Sequence, residues 1–497
     1  MITFEDIKPI RNRLRKFDRD ALIQLAAEQL HATYHEPTKL MARWLPWYLM
    51  LLVKWALVDE LQSADRRRPT IDDLTDLRNR MWRLGERARP PSQYGSIYGF
   101  LRAMAFQQFW YHRQFAANDL ARQAVLFGKL AGSGQLAARF EAVAGISLSD
   151  YLELCFALGA RFLGNSSVDF TANWFSPLLP RYGAARLNRF LGMLSADYAA
   201  AGEIIRQSDA RVRDLDARMY EQTPLRKRPL LALPGKYICY SPSVLFDRLT
   251  TGTYDLLKEA DGEAFTREFG DVFEEYLGAL LVEHACTTLR ERELRRLYPG
   301  AKMPDFVIQS EDATIVVESK AVEMSPLAQV SPDPAVVNNY LRSSIIKGIC
   351  QAHQVAERIV GQPPAGFSRS KSEFFVLVVT FKDLFIGSGE DFIVNDVARE
   401  IREFDVANRV DDQLVPAQNV FFLAVQEFEW LLATCAHHGR PLATVLRAAV
   451  VANREPMGKK FNLWQHVEEQ FPGGIRSVAS LGAAFDELVS RIGFIGE

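Results

Sequence analysis

The sequence predicts a protein of mixed α and β structure, in which an all-helical N-terminal region precedes an α/β domain with a mixed central sheet flanked by helices. From Ile7 to about Leu215, apolar residues recur at intervals of three and four and β-branched runs are few, as in amphipathic helices. Beyond about residue 240, strand-length apolar runs alternate with helical segments, as in α/β domains. We therefore predict a helical region at 1–225 and an α/β domain at 226–497.

Composition places the chain among ordinary globular proteins. Its 497 residues exceed one typical domain. A composition of 48% hydrophobic and 24% charged residues matches ordinary globular proteins and suggests no disordered, fibrous or membrane class. The formal net charge of -2 requires any nucleic-acid contact to come from local patches. The 5 cysteines lie far apart with no CxxC pair, which argues against a zinc or redox site.

Targeting and membrane features are missing from the sequence pattern. The first residues lack the basic start and apolar run of a signal peptide. The most apolar window, Leu45 to Leu57, is too short to span a bilayer and contains Lys54. We therefore expect a cytoplasmic protein with no membrane association.

The second domain has a readable order of elements. The helical pattern ends near Arg226, and the stretch from Leu230 to Pro242 reads as short strands or extended linker. A domain core at about 263–430 and a C-terminal helical extension follow. The predicted strands are 306–309, 314–320, 374–380 and 420–425, and the predicted helices lie near 263–290, 334–360 and 426–438.

An acidic residue on the first of these helices can reach a site beside the sheet. Apolar residues from Phe269 to Leu280 fall on one stripe at 100° per residue. Glu274 lies at the edge of that stripe, whereas Glu275 points away from it. Glu274 is therefore the candidate site residue, with a solvated rim glutamate as the plainer alternative.

A hairpin brings further carboxylates together. If the chain turns at 311–312, residues paired across the ladder have numbers that sum to 623, which sets Asp305 opposite Glu318. Directly opposed side chains share a face of the sheet. Because strand side chains alternate, Lys320 lies on the same face and Ser319 points the other way. The two carboxylates and the lysine are predicted to converge.

This combination of residue types suits metal-assisted hydrolysis. Two like charges so close repel each other, and a bound Mg²⁺ relieves the repulsion through carboxylate oxygens. A metal-bound water becomes a better nucleophile, and the metal offsets charge on a phosphate. Lys320 could orient the water or stabilise the transition state. We predict Mg²⁺ as cofactor, with Mn²⁺ as the alternative.

The pattern resembles a known superfamily. An acid on a helix, Pro304 and Asp305 at one strand, and Glu318 and Lys320 at the end of the next strand resemble the PD-(D/E)xK, or restriction-endonuclease-like, nucleases. The resemblance covers about 263–430. It departs from the pattern after Lys320, where a Pro-rich loop follows.

The resemblance implies a restriction-endonuclease-like fold and a set of roles. Asp305 and Glu318 would be metal ligands with catalytic roles, Lys320 the catalytic lysine, and Glu274 an auxiliary metal ligand. Gln351, on the helix after the lysine strand, would line the site and belong to the catalytic residues. The metal site does not distinguish DNA from RNA.

A basic cluster just before Asp305 is the candidate nucleic-acid contact. Short charge runs are more often solvated faces, and acids interleave here, so that alternative stays open. The cluster comprises Arg292, Arg295, Arg296 and Lys302.

The function predicted from these features is that of a Mg²⁺-dependent DNA endonuclease. The helical region carries no recognisable chemistry and is interpreted as a region that senses, binds a partner or regulates. The overall architecture resembles single-gene bacterial anti-phage defence nucleases. DNA, a phage-derived trigger or partner protein, and a second copy in a homodimer are the expected partners. The alternatives are an RNA, tRNA or DNA-repair nuclease, and an inactive nuclease fold that acts as a binding module.

Overall fold

The computed structural model confirms the mixed α and β class. Helices dominate the N-terminal region, and a five-stranded mixed sheet lies in the C-terminal half. Contacts divide the chain into two compact units. The first comprises Met1–Gln93, Ala103–Gly262 and Ala483–Glu497, and the second Tyr94–Arg102 and Glu263–Gly482. The structure describes residues 1–59, 66–164, 167–310, 312–365, 367, 373–411, 413–455 and 457–492.

The α-helices up to residue 283 are α1 Phe4–Leu14, α2 Arg19–His35, α3 Pro37–Trp44, α4 Pro46–Val58, α5 Ile71–Gly85, α6 Ile97–Gln108, α7 Ala117–Gly128, α8 Ser133–Ala144, α9 Leu148–Gly164, α10 Leu179–Leu194, α11 Tyr198–Arg211, α12 Leu215–Arg218 and α13 Pro242–Glu283. The later ones are α14 Glu291–Leu297, α15 Pro326–Val330, α16 Pro334–Leu341, α17 Lys347–Gly361, α18 Gly389–Asp391, α19 Ala398–Asn408, α20 Val425–His438, α21 Leu442–Asn453, α22 Leu463–Gln470 and α23 Ala479–Ile492.

The strands form two mixed sheets. The four-stranded sheet has the order β1-β4-β3-β2 and the five-stranded sheet the order β5-β6-β7-β8-β9. Their bounds are β1 Asp169–Phe170, β2 Ser195–Ala196, β3 Leu230–Leu233, β4 Lys236–Cys239, β5 Thr287–Arg290, β6 Phe306–Ser310, β7 Ala313–Lys320, β8 Glu373–Thr380 and β9 Val420–Ala424.

The first unit is a helical assembly with a small sheet. Its core contains fully buried residues of α2, α4 and α5, among them Ile23, Leu49 and Leu77. Helix ends follow from the sequence. The Asp18 side chain accepts a hydrogen bond of 2.8 Å from the Ala21 amide and so caps α2.

The limits of the first unit differ from the sequence prediction in two ways. The region predicted to be all-helical contains β1 and β2, which are only two residues long and too short for alternation to reveal. The segment after residue 226 groups with this unit up to Gly262. It does so because β3 and β4 pair with β2 and β1, while Tyr240 and Val244 join the core of the N-terminal helices. The contacts therefore place the division at Gly262 and not at 225.

The second unit is built around the five-stranded sheet. β5, β6 and β7 pair antiparallel, and β7, β8 and β9 pair parallel. Seven of the eight residues of β8 are buried, as expected for a central parallel strand covered on both faces. The strands predicted near 306, 314, 374 and 420 are confirmed.

The predicted helix over 263–290 extends too far. Helix α13 ends at Glu283, where Ala285 has a left-handed φ of 52°, and residues 287–290 form β5. Thr287 and Thr288 are β-branched and favour a strand. Helix α13 is also interrupted, since Asp261 and Gly262 have non-helical backbone angles where the two units divide.

Among the described residues, no single helix is both long and apolar enough to cross a membrane. Helices α8 and α9 reach the needed length and apolar character when taken together, and they are bent by 69° relative to each other.

Candidate active site

The β6–β7 hairpin has the predicted register. The ladder pairs Phe306 with Val317 and continues to Ser310 with Ala313, so that the numbers of paired residues sum to 623. The same register, continued one residue beyond the last hydrogen-bonded pair, sets Asp305 beside Glu318. The hairpin thus brings the carboxylates to one end of two neighbouring strands.

Lys320 connects these two acids. Its ammonium donates a hydrogen bond to Glu318 Oε2 and lies 3.9 Å from Asp305 Oδ2. The side chains of Asp305 and Lys320 are mostly buried and that of Glu318 almost completely. Three of the residues predicted from sequence therefore meet in the folded protein.

Ser319 is a site residue that the sequence prediction missed. Strand alternation predicted that its side chain points away, yet Asp305 Oδ2 accepts hydrogen bonds from the Ser319 amide at 2.6 Å and from its hydroxyl at 2.9 Å. Asp305 lies just before β6 begins and is not constrained by the pleat, so its side chain can turn toward the backbone of β7. Ser319 thereby fixes one oxygen of Asp305.

Burial sets the protonation behaviour of Glu318. The residue has 0% exposure, and its Oε1 is buried without a hydrogen-bond partner in the described structure. Burial raises the pKa of Glu318 to about 8, with the charge of Lys320 acting in the opposite direction and that of Asp305 in the same direction. Glu318 therefore holds its proton to a higher pH than a carboxyl group in water does.

Glu274 belongs to the same electrostatic cluster. It is half-buried on α13, and burial, followed by the charges of Asp305 and Glu291, raises its pKa to about 7. Glu275, predicted to point away from the apolar stripe, forms an ion pair of 2.8 Å with Arg290. The sequence prediction that Glu274 and not Glu275 approaches the other acids agrees with these interactions.

The cluster contains more acids than bases. Burial acts to lower the pKa of Lys320. The charges of Glu318, Asp305 and Glu274 act in the opposite direction, and the net effect is a raised pKa. Lys320 is accordingly protonated at neutral pH. Three carboxyl groups share this one ammonium, so the site has an excess of negative charge whenever all three are ionised.

Helix α17 approaches the acids through a glycine. A Cβ atom added at Gly348 would lie 3.3 Å from Lys320 Cε and 3.6 Å from Glu318 Cγ. A larger residue would crowd the functional groups, so glycine allows the helix backbone to cover them. The sequence prediction did not single out Gly348, because helix periodicity does not show which residue of a helix lies closest to a neighbouring strand.

Gln351 lies on the same helix but contacts a different part of the site. Its side-chain amide donates to the Met303 carbonyl at 3.3 Å. That bond holds the segment that leads into Asp305. In the described structure the Gln351 side chain makes no other hydrogen bond, so it supports the site and does not hydrogen-bond to the carboxylates.

The predicted basic cluster is exposed. Arg292, Arg295 and Arg296 lie on α14 and Lys302 follows it. Arg295 is engaged by Glu291 at 2.5 Å, whereas the described structure gives the other three no ion pair. The Glu291 amide donates to the Asp305 carbonyl at 2.9 Å, which places the start of α14 next to the acids.

The donor set suits a hard divalent cation, although it is not assembled as a metal cluster. Across the described ranges, no group of three or more His, Cys, Asp and Glu side chains is arranged to hold a metal ion. The ammonium of Lys320 lies against both Asp305 and Glu318. The unpartnered Oε1 of Glu318 and the remaining carboxylate oxygens are of the kind that Mg²⁺ prefers.

Comparison with protein-family models, with curated proteins and with solved structures found no match. The resemblance to PD-(D/E)xK nucleases therefore rests on the residues and their geometry alone.

Proposed function

We propose that the protein is a Mg²⁺-dependent phosphodiester hydrolase that cleaves DNA. The observation that carries this proposal is the convergence of Asp305, Glu318 and Lys320 at the ends of two paired strands, with Glu274 within electrostatic range. An excess of carboxylates around one lysine attracts a divalent cation and then a phosphate that the cation helps to neutralise.

Each residue of the site has a task in this proposal. Asp305, Glu318 and Glu274 would hold Mg²⁺, which when bound lowers the pKa of a coordinated water and offsets charge on the phosphate. Lys320, cationic through its acidic neighbours, orients the attacking water or stabilises charge in the transition state. Ser319 fixes Asp305 by two hydrogen bonds.

The order of elements supports a PD-(D/E)xK-like assignment. An acid-bearing helix precedes three antiparallel strands, and a helix then leads to a strand that pairs parallel with β7. The resemblance implies a mixed sheet flanked by helices, in agreement with this arrangement. The exposed side chains of Arg292, Arg296 and Lys302 would contact the DNA backbone beside Asp305.

The biological setting is proposed from architecture. A helical unit without a recognisable catalytic motif, in one chain with a nuclease unit, resembles bacterial anti-phage defence effectors, in which the first part senses infection. On this proposal the protein is cytoplasmic and responds to a phage-derived trigger or partner protein. A homodimer would let two sites cut two strands.

A binding module without catalysis is the second candidate. It is favoured by the hydrogen bond between Lys320 and Glu318, which places the ammonium on the carboxylate that a metal would need. In that case the unit would hold nucleic acid through Arg292, Arg296 and Lys302 and leave it intact.

The test is cleavage by the purified full-length chain. Wild type is incubated with plasmid, single-stranded DNA and total RNA, in Mg²⁺, Mn²⁺ or EDTA. We expect metal-dependent cleavage of DNA that Lys320→Ala abolishes, while Lys459→Ala, which removes an exposed lysine paired with Asp391, cuts like wild type. Cleavage of RNA alone would reassign the substrate. Binding without cleavage, repeated with infected-cell lysate, would favour the binding module.

A further inference from the structure

The first unit contains a cavity of about 280 Å³ between α1, α4, α11 and α12. One part of its wall is apolar and includes Leu51, the half-buried ring of Trp55, and Leu215. Ligand pockets in proteins span about 300–1,000 Å³, so this cavity lies at the small end of that range. Such a volume suits one ring system with a polar substituent and is too small for a dinucleotide.

The charged part of the wall is mainly cationic. Four of the five charged side chains that line the cavity are basic, and Asp209 is the acid. Lys54 is 2% exposed and is the one charged residue of the apolar helix α4. The charged residues are Arg11, Lys54, Arg206, Arg218 and Asp209.

Lys54 is held by acids from two other segments. Its Nζ lies 2.7 Å from Asp209 Oδ1 and donates to Glu221 Oε1. Burial raises the pKa of Glu221, against the lowering effect of Lys54. A buried lysine on an apolar helix is costly, and the two acids offset that cost. The ammonium is thus kept at the cavity wall in a fixed position.

Two arginines of the wall retain unused donors. Arg11 directs Nε and Nη2 to Asp59, and Arg206 directs Nε and Nη2 to Glu203. A guanidinium has five N–H donors, and in the part of the chain that the structure describes the Nη1 groups of both residues have no acceptor. The carboxylates hold each guanidinium from one side and leave the other side for an anion.

We propose that this cavity binds a small organic anion, namely a planar ring that carries a phosphate or a carboxylate. The ring would pack on Trp55 and Leu51, and the acidic group would accept hydrogen bonds from Arg11 and Arg206. Guanidinium groups match phosphate and carboxylate oxygens equally well in geometry, so the two head groups are distinguished by experiment. This proposal stands independently of the nuclease assignment.

The experiment measures binding to the full-length chain. Isothermal titration is carried out with adenosine monophosphate, with indole-3-acetate and with inorganic phosphate. We expect saturable binding of at least one of the two ring compounds, at least tenfold tighter than that of phosphate. Binding of the nucleotide identifies a phosphate head group, and binding of indole-3-acetate identifies a carboxylate.

Variants assign the binding to the cavity. Arg206→Glu reverses an exposed charge at the cavity rim and is expected to weaken binding at least tenfold. Arg211→Glu, at the exposed end of the same helix and outside the cavity lining, is the matched control and should bind like wild type. Val58→Trp fills the cavity and should abolish binding; circular dichroism checks that each variant is folded. The proposal is overturned if no ring compound binds at millimolar concentration, if phosphate binds equally well, or if Arg206→Glu and Val58→Trp both bind like wild type.

Discussion

Binding of Mg²⁺ to the acidic cluster should depend steeply on pH. Glu318 and Glu274 have pKa values raised to about 8 and about 7, and both must lose a proton to coordinate a cation. With these values, the fraction of protein in which both are ionised rises about 50-fold from pH 6 to pH 7 and about tenfold from pH 7 to pH 8. The affinity for Mg²⁺ should rise by the same factors.

The same values predict the number of protons that the metal displaces. Summed over the two groups, binding should release about 1.4 protons at pH 7 and about 0.6 at pH 8. Isothermal titration with Mg²⁺ or Mn²⁺ in buffers of different ionisation enthalpy measures this number directly.

The variant Glu318→Gln separates the contribution of Glu318 to the pH dependence from that of Glu274. It leaves one titrating ligand, so the affinity for Mg²⁺ should be weaker at every pH and should rise only about fivefold from pH 6 to pH 7. Binding to this variant should release about 0.5 protons at pH 7. An affinity that is the same from pH 6 to pH 8, with no proton released, would refute the argument that these buried acids are the ligands.

Three further predictions concern packing and titration. Gly348→Leu should lower the rate of metal-dependent cleavage at least tenfold, because the added side chain would meet Lys320. Gly361→Ala on the same helix adds a Cβ with nothing within 4 Å and should cleave at the wild-type rate. Equal rates for the two variants would show that the helix does not cover the site. His31 is buried, which lowers its pKa from 6.5 to about 4. As pH falls, His31 is protonated at a higher pH in the unfolded chain than in the folded protein. About 3 kcal/mol of the free energy of unfolding is therefore lost between pH 6.5 and pH 4. Urea unfolding at both pH values should show a smaller loss for His31→Gln, and an identical loss would argue against this cause. Leu377 has 0% exposure in β8, and Leu377→Ala should lower the free energy of unfolding by about 2–5 kcal/mol in the same assay. Val406→Ala, at a position with 80% exposure, should lower it by less than about 0.5 kcal/mol. Similar losses for the two variants would contradict the packing account.

The sheet of the second unit was predictable because its strands have strong local patterns. Buried parallel strands such as β8 read as continuous apolar runs between turn residues. The hairpin register was predicted from a turn at 311–312, and the ladder has that register. Alternation then placed Lys320 with the acids, which its contacts confirm.

Features that depend on tertiary contacts were not predictable. Alternation assigned Ser319 to the opposite face, but Asp305 lies outside the ladder and turns to reach it. Gln351 was predicted to line the site, yet it contacts the Met303 carbonyl, since helix periodicity gives the face of a residue and not its partner. The four-stranded sheet includes β1 and β2, whose pairing with distant strands no local pattern reveals.

The central claim is that Asp305 takes part in hydrolysis. It is tested most directly by the initial rates of DNA cleavage in Mg²⁺, measured for wild type, Asp305→Asn and Asp312→Asn. Asp312 is the matched control, because it is exposed at the far end of the hairpin and, among the described residues, forms an ion pair with Arg447 and none with the acidic cluster. We predict that Asp305→Asn cuts at least about a hundredfold more slowly while Asp312→Asn cuts at the wild-type rate. Cleavage by Asp305→Asn at the wild-type rate would contradict the claim.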